Sequence, residues 1–287
     1  MGNRFDGTRK TAYTYRGLIF PRNSATEVDM FSIGICTDFT RLPDVAPLGY
    51  DYVEIPLEGL ASLPEADFQE FADYVQGRGI RVAACSRLLP EDLPVTGPNV
   101  SATRLHGYLN HALRRAQRLG IRVAVLDAAK SRAVPRDEDY PFAWRQLGNF
   151  LRLIQGHARD CGVTVAIEPL RRSECDLMNS VGEAALIAGL LQLENVGVAA
   201  HTGSMAMVSE TPASLRRAAP LLKHVHVENA LTRALPAPND GEDYRRLVKT
   251  LKDIGYNGGV SLCGTITDRF EEDARIALDW IRKEMLE

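Results

Sequence analysis

The residues with chemical potential in this sequence stand at the ends of short apolar runs. Glu54 lies near the end of YDYVEI (50–55), Glu168 closes VTVAIE (163–168), and His201 follows VGVAA (196–200). His226 and Glu228 belong to HVHVE (224–228), Asp127 follows IRVAVL (121–126), and Cys263 closes GVSLC (259–263). An ionised carboxylate is costly to bury unpaired, so one that ends an apolar run points to a task beyond packing. Carboxylate, imidazole and thiol are also the donors of divalent-metal sites and the usual acid–base groups. Each has a plainer reading. A lone His226 is most simply a satisfied core histidine, and the company of Glu168 and His201 is what makes it a ligand candidate. Cys263 alone is a small core hydrophobe. Glu54 serves equally well as an ion-pair partner. In HVHVE, strand alternation is expected to send one of His224 and His226 inward and the other outward. Lys130 and Arg132, in the loop after Asp127, read either as substrate contacts or as a solvated loop; His106, His111 and His157 fall on helices and carry no site.

The elements that position these groups repeat with one rhythm. Eight apolar runs, at 31–36, 50–55, 80–85, 121–126, 163–168, 196–200, 224–228 and 259–263, are rich in Val and Ile and hardly alternate. Such runs suit parallel strands buried on both faces. Helical spacing fills the intervals at 65–76, 102–119, 142–161, 181–193, 212–222, 243–254 and 270–286, while 42–48 leaves room for only a short crossover. Gly79, Gly120 and Gly162 each precede a strand, as helix C-caps do. Eight strand–helix units close most economically into a single-domain (β/α)8 TIM barrel, whose sites lie at the C-terminal ends of the strands. A doubly wound sheet is the alternative, but the first turn, TDFTRLP, lacks the glycines of that fold.

Composition narrows the classes. The 287 residues are 45% hydrophobic and 25% charged, with a formal net charge of -3, so bulk charge gives no attraction to nucleic acid or to an anionic membrane. No apolar run reaches the roughly 18 residues that a membrane helix needs. Five cysteines, odd in number and without a CxxC pair, fit a reducing cytoplasm better than a disulfide framework. Residues 1–29 read as a flexible extension and 30–287 as the barrel. A homodimer is the default assembly for a soluble chain.

Several segments resemble the sugar phosphate isomerase/epimerase proteins with a xylose-isomerase-like barrel. The most specific is VTVAIEPLRRSECDLMNSVGEA (163–184), which is similar to that family's strand-five motif; LPEDLPVTGP (89–98) matches the loop after strand three. VLDAAKSRAVP (125–135), NVGVAAHTGSM (195–205), LKHVHVEN (222–229) and IGYNGGVSLC (254–263) fall in order where the family has its strand-four and last three strand motifs. The resemblance implies a divalent ion held by Glu, Asp, His and Glu from strands five to eight. Here Glu168 and His226 match, whereas His201 stands for the Asp and Cys263 for the second Glu. Glu174 is similar to a substrate-orienting Glu, Ser204 stands where a substrate-contacting His is common, and Arg233 lies near a substrate-binding Arg.

The resemblance thus implies a metal-dependent isomerase or epimerase of a sugar or sugar phosphate, working by proton transfer through an enediolate. An oxygen-rich ligand set suits Mn2+; Glu168, His201, His226 and Cys263 together offer nitrogen and sulfur and suit Zn2+ better. Inversion of a carbon needs an acid and a base on opposite faces. With the strand-eight carboxylate gone, either Glu168 alone runs a same-face proton shift or Cys263 is the second acid–base group. A barrel that binds a sugar or metabolite without catalysis is the second expectation. An abasic-site endonuclease, which shares the architecture, needs a three-zinc cluster and a basic face, and six histidines with a negative net charge argue against it.

Overall fold

The computed structural model describes residues 31–137 and 139–286; the stretch 1–29, read above as an extension, lies outside the described residues. Each apolar run becomes a strand: β1 Ser32–Cys36, β2 Tyr52–Pro56, β3 Val82–Ser86, β4 Val123–Leu126, β5 Thr164–Ile167, β6 Val196–His201, β7 Leu222–Val227 and β8 Gly259–Leu262. Each pairs parallel with the next, and β8 returns to β1, so the sheet closes into a (β/α)8 barrel.

Helices α1 (Leu42–Val45), α2 (Leu57–Ser62), α3 (Glu65–Gly77), α4 (Ala102–Leu119), α5 (Tyr140–Asp160), α6 (Val181–Leu191), α7 (Thr202–Met207), α8 (Ala213–Ala218), α9 (Tyr244–Asp253) and α10 (Phe270–Leu286) fill the connections. None is long and apolar enough to cross a membrane. The long helices carry the expected signals. Ser101 caps α4, whose Leu105, Leu109, Leu113 and Ala116 face the barrel, and Gly120 ends it at φ 80°. Ser180 and Glu183 form a reciprocal capping box at the start of α6.

The differences from expectation have local causes. The segment 212–222 is only α8 followed by a 3-10 turn at Ala219–Leu221, because Pro220 lacks the N–H that would extend the helix. Helices α2 and α7 start directly at the ends of β2 and β6, and at six residues each they are too short to show a helical period.

Most of the core lies between the barrel wall and the helices. A smaller cluster fills the lumen: Tyr52, Ala83, Ala84, Val123, Val125, Ala166 and Ala199. Small side chains predominate there because Tyr52 already spans much of the space. Gly34 makes that possible, since a Cβ on it would lie 2.3 Å from the Tyr52 ring. Above this plug the strand ends turn polar.

Candidate active site

At the C-terminal mouth of the barrel lies a cavity of about 790 Å³, lined by Cys36, Asp127, Glu168, His201, His226, Glu228 and Cys263 among others. A hollow of similar size, about 800 Å³, lies outside the barrel between α4, α5 and α6, but no carboxylate, imidazole or thiol lines it. The chemistry is in the mouth. Strand register sets its layout. Cys36 pairs with Glu54, His201 with His226, and His226 with Ser261, so these side chains enter the lumen at nearly one level.

His226 is the centre of the floor. Its Nδ1 meets Glu168 Oε2 at 2.6 Å and its Nε2 meets Glu54 Oε1 at 2.9 Å. Burial opposes a charge on the ring, but the two carboxylates outweigh it and hold the His226 pKa well above the ordinary imidazole value. The same pairing acts in reverse on the acids. Burial alone would raise Glu54 and Glu168, yet His226, with His224 at Glu54 and His201 at Glu168, lowers both. Beneath, Glu54 Oε2 accepts from Ser261 Oγ at 2.6 Å and lies 2.8 Å from His224 Nε2, and Ser261 meets the Tyr52 hydroxyl at 2.8 Å. His224 and His226 therefore both point inward. The expectation that one faces out is overturned, because residues two apart on a strand share a face.

A second group of charges forms the wall. Arg171 Nη2 donates to Glu228 Oε2 at 2.7 Å, and Arg233 donates to Glu174 at 2.7 Å while its Nε stands 3.5 Å from Glu228. The Thr202 hydroxyl both accepts from the Glu228 N–H and donates to the Glu228 carbonyl, each at 2.9 Å, tying β6 to β7. His201 caps α7, its Nδ1 accepting from the Ser204 N–H at 3.4 Å, and burial lowers its pKa. Gly203 stands at the closest approach: a Cβ there would lie 2.6 Å from both Arg171 Nη2 and Glu228 Oε2. Asp127 accepts from the Arg87 N–H at 2.7 Å, and burial together with the Glu168 charge pushes its pKa up to about 7.

Of the residues expected from sequence, Glu168, His201, His226, Cys263, Glu174, Ser204 and Arg233 all line the cavity. Three do not. Glu54 is wholly buried, with its Oε1 2.9 Å from Nε2 of His226. Arg132 is also wholly buried, and it donates to the Glu168 carbonyl oxygen, which holds the end of β5. Lys130 is exposed and paired with Glu91 at 2.5 Å. Cys263 lines the cavity beside Cys36, and burial raises its thiol to about 12. Asp127 and Glu228 stood at strand ends without an assigned role. Cys36 was missed. The rule that singled out Cys263, a thiol closing an apolar run, applies equally to Cys36.

A family model described as xylose isomerase-like TIM barrel matches residues 42–284. The chain belongs to this family. Among curated proteins, D-psicose 3-epimerase of Agrobacterium fabrum is 24% identical over 226 residues, covering 75% of each chain. Among solved structures, D-psicose 3-epimerase of Clostridium cellulolyticum H10, solved with D-tagatose, aligns with TM-score 0.76 at 20% identity, covering 89% of this chain and 99% of that one. The 3-keto-D-glucoside 4-epimerase of E. coli aligns with TM-score 0.75 at 19% identity, covering 88% and 99%.

The residues present fit a divalent ion, though with altered donors. The ligand atoms of Glu168, His201 and His226 lie within 4.8 Å of one another. Cys263 groups instead with Cys36 and His226, again within 4.8 Å. The two groups share only His226: the first offers one carboxylate and two imidazoles, the second one imidazole and two thiols.

Proposed function

We infer that this barrel is a metal-dependent isomerase or epimerase of a free sugar, acting on the carbon next to a carbonyl. The reading rests on one observation above all. Glu168, a carboxylate at the family's strand-five position, stands on the cavity floor with its Oε2 2.6 Å from Nδ1 of His226. That contact fixes the orientation of the carboxylate at a cavity large enough for a monosaccharide.

When bound, the ion supplies Lewis-acid polarisation of the substrate carbonyl and hydroxyl oxygens; Glu168, His201, His226 and Cys263 are the residues at hand to hold it. Glu168 removes the proton from the carbon beside the carbonyl, and electrons move onto the carbonyl oxygen to give an enediolate. Return of the proton by Glu168 to the neighbouring carbon, with the hydroxyl proton transferred between the two oxygens, yields the isomer. Asp127 lines the same side and exchanges protons near neutral pH, so it serves to shuttle the hydroxyl proton. This same-face route suits the chain better than a two-face inversion, because strand eight ends in a thiol where the family carries a carboxylate.

The cavity wall favours a neutral sugar over a phosphate. Among the described residues lining it, each arginine already has a carboxylate: Arg87 with Glu58 at 2.7 Å, Arg171 with Glu228 and Arg233 with Glu174. A phosphate would have to displace one of these.

The test is proton exchange. The purified protein, loaded with Zn2+ or Mn2+, is incubated with a panel of ketoses and aldoses in D2O, and carbon-bound deuterium and product sugars are followed by NMR. Deuterium uptake that falls by roughly 10²–10⁴-fold in Glu168→Gln supports the reading. No exchange with any sugar refutes it. The missing strand-eight carboxylate favours a second reading, a sugar-binding barrel without turnover. Sugar-dependent thermal stabilisation without exchange would support that one.

A further inference from the structure

Two thiols meet where the first and last strands close the barrel. Ile35 and Leu262 are partners in the β1–β8 ladder, so Cys36 and Cys263, each one residue further on, end adjacent strands side by side. Ile35 and Leu262 are fully buried in the core outside the barrel wall. By alternation the two cysteines face the lumen, and both line the mouth cavity. The ligand atoms of Cys36, His226 and Cys263 all lie within 4.8 Å of one another. Ligand atoms around one tetrahedral ion stand roughly 3–4 Å apart, given bonds of about 2.0–2.3 Å. The three ligand atoms, within 4.8 Å of one another, already stand near that spacing.

We propose that Cys36, Cys263 and His226 form a thiol-rich metal site that takes Zn2+ or a cation of similar softness, with Cys36 as a ligand from strand one. The proposal rests on the reading of this cavity as the metal-bearing site and specifies which side chains hold the ion. The two thiols stand side by side across the β1–β8 seam. A carboxylate exchanged for a thiol on β8 would weaken a hard-ion site if it stood alone. A second thiol at the adjacent, in-register position on β1 supplies what a softer ion needs. Cys2His with one position left open is a known arrangement for a zinc that binds its substrate. Glu168 and His201 form a second group with His226, available as a fourth ligand or for proton transfer.

The experiment uses the full chain, purified under reductant, stripped with chelator and titrated with Co2+. Thiolate ligation gives an intense sulfur-to-cobalt charge-transfer absorption in the near ultraviolet, which carboxylate and imidazole ligands do not produce. The expected result is one equivalent bound with that band. Cys36→Ser is expected to weaken the band and to lower Zn2+ affinity by more than the roughly 10–100-fold that a merely supporting residue costs. Cys263→Glu, which places a carboxylate on β8, is expected to bind Co2+ with a weaker band and to gain Mn2+ affinity. Circular dichroism checks that both variants fold. Cobalt bound without the band, a band unchanged in Cys36→Ser, or no cobalt bound at all would each overturn the assignment. Sugar-dependent deuterium exchange is measured on the same samples, so loss of the thiol site with exchange retained leaves the isomerase reading standing.

Discussion

Glu54 is the group whose replacement tests the site's architecture most directly. It has no exposed surface, and its two oxygens meet His226 at 2.9 Å, His224 at 2.8 Å and Ser261 at 2.6 Å. Glu54→Gln keeps the shape, removes the charge and sets an amide N–H against at least one of these donors. Removing one partner of a buried ion pair while the other stays costs about 3–5 kcal/mol. In a chain of this size about 1 kcal/mol moves the melting temperature by roughly 2–4 °C, so the metal-free variant should melt roughly 6–20 °C lower. The dependence on pH has a definite sign. Glu54 is depressed below its ordinary value of 4.5, so its contribution is present above that value and is lost as pH falls through the lowered one. His226 is raised above 6.5, so its contribution is complete below that value and is lost as pH rises through the raised one. The penalty of the substitution is therefore fully expressed between pH 4.5 and 6.5 and fades beyond both folded-state values. Calorimetry of parent and variant across a pH series reads it. A melting temperature at pH 6 that differs by less than about 2 °C would mean that Glu54 does not hold His226 as an imidazolium.

Three further outcomes follow from other contacts. Gly203→Ala should fold but disrupt the wall, because its Cβ would press on Arg171 and Glu228 at 2.6 Å; sugar exchange should fall at least tenfold, a modest share of what positioning supplies, with far-ultraviolet circular dichroism unchanged. Asp127 carries a raised pKa of about 7 against an ordinary 3.8, so stability is lost as pH rises between those values; Asp127→Asn should flatten this part of the denaturant-midpoint profile of metal-free protein, and an unchanged profile would remove Asp127 from the neutral range. Cys36 and Cys263 end adjacent in-register strands, and strand spacing of about 4.8 Å falls within the Cα range of a disulfide. Mild oxidation of metal-free protein should therefore consume two thiols per chain in thiol titration, and prior Zn2+ should block it.

The barrel was legible in the sequence because its strands are short, apolar on both faces and spaced by helices with ordinary caps. Ser101, Ser180, Gly120 and Gly162 mark their boundaries by local chemistry alone. Glu168, His201, His226 and Cys263 were legible because a polar group that ends a buried run has few structural excuses. What failed was the assignment of depth. Glu54 and Arg132 look like site residues along the chain, yet the His226 ring covers Glu54 and the strand-four loop folds Arg132 against the end of β5. Cys36 was passed over because a cysteine closing an apolar run reads as core until its neighbour across the β1–β8 seam is known. Arg171 follows the strand-five motif without distinction, and only the fold brings it to Glu228, 57 residues later.

The seam itself has a consequence for how the molecule comes into being. The ladder from Ser32–Gly259 to Ile35–Leu262 joins the start of the described chain to its last strand. A chain with seven strands in place and the eighth still undocked carries Glu168, His201 and His226 but no thiol pair. The proximity of Cys36 to Cys263 is thus a marker of completed closure. A bifunctional thiol reagent applied during refolding would time the last step of assembly, and metal capture by the pair would come only after it.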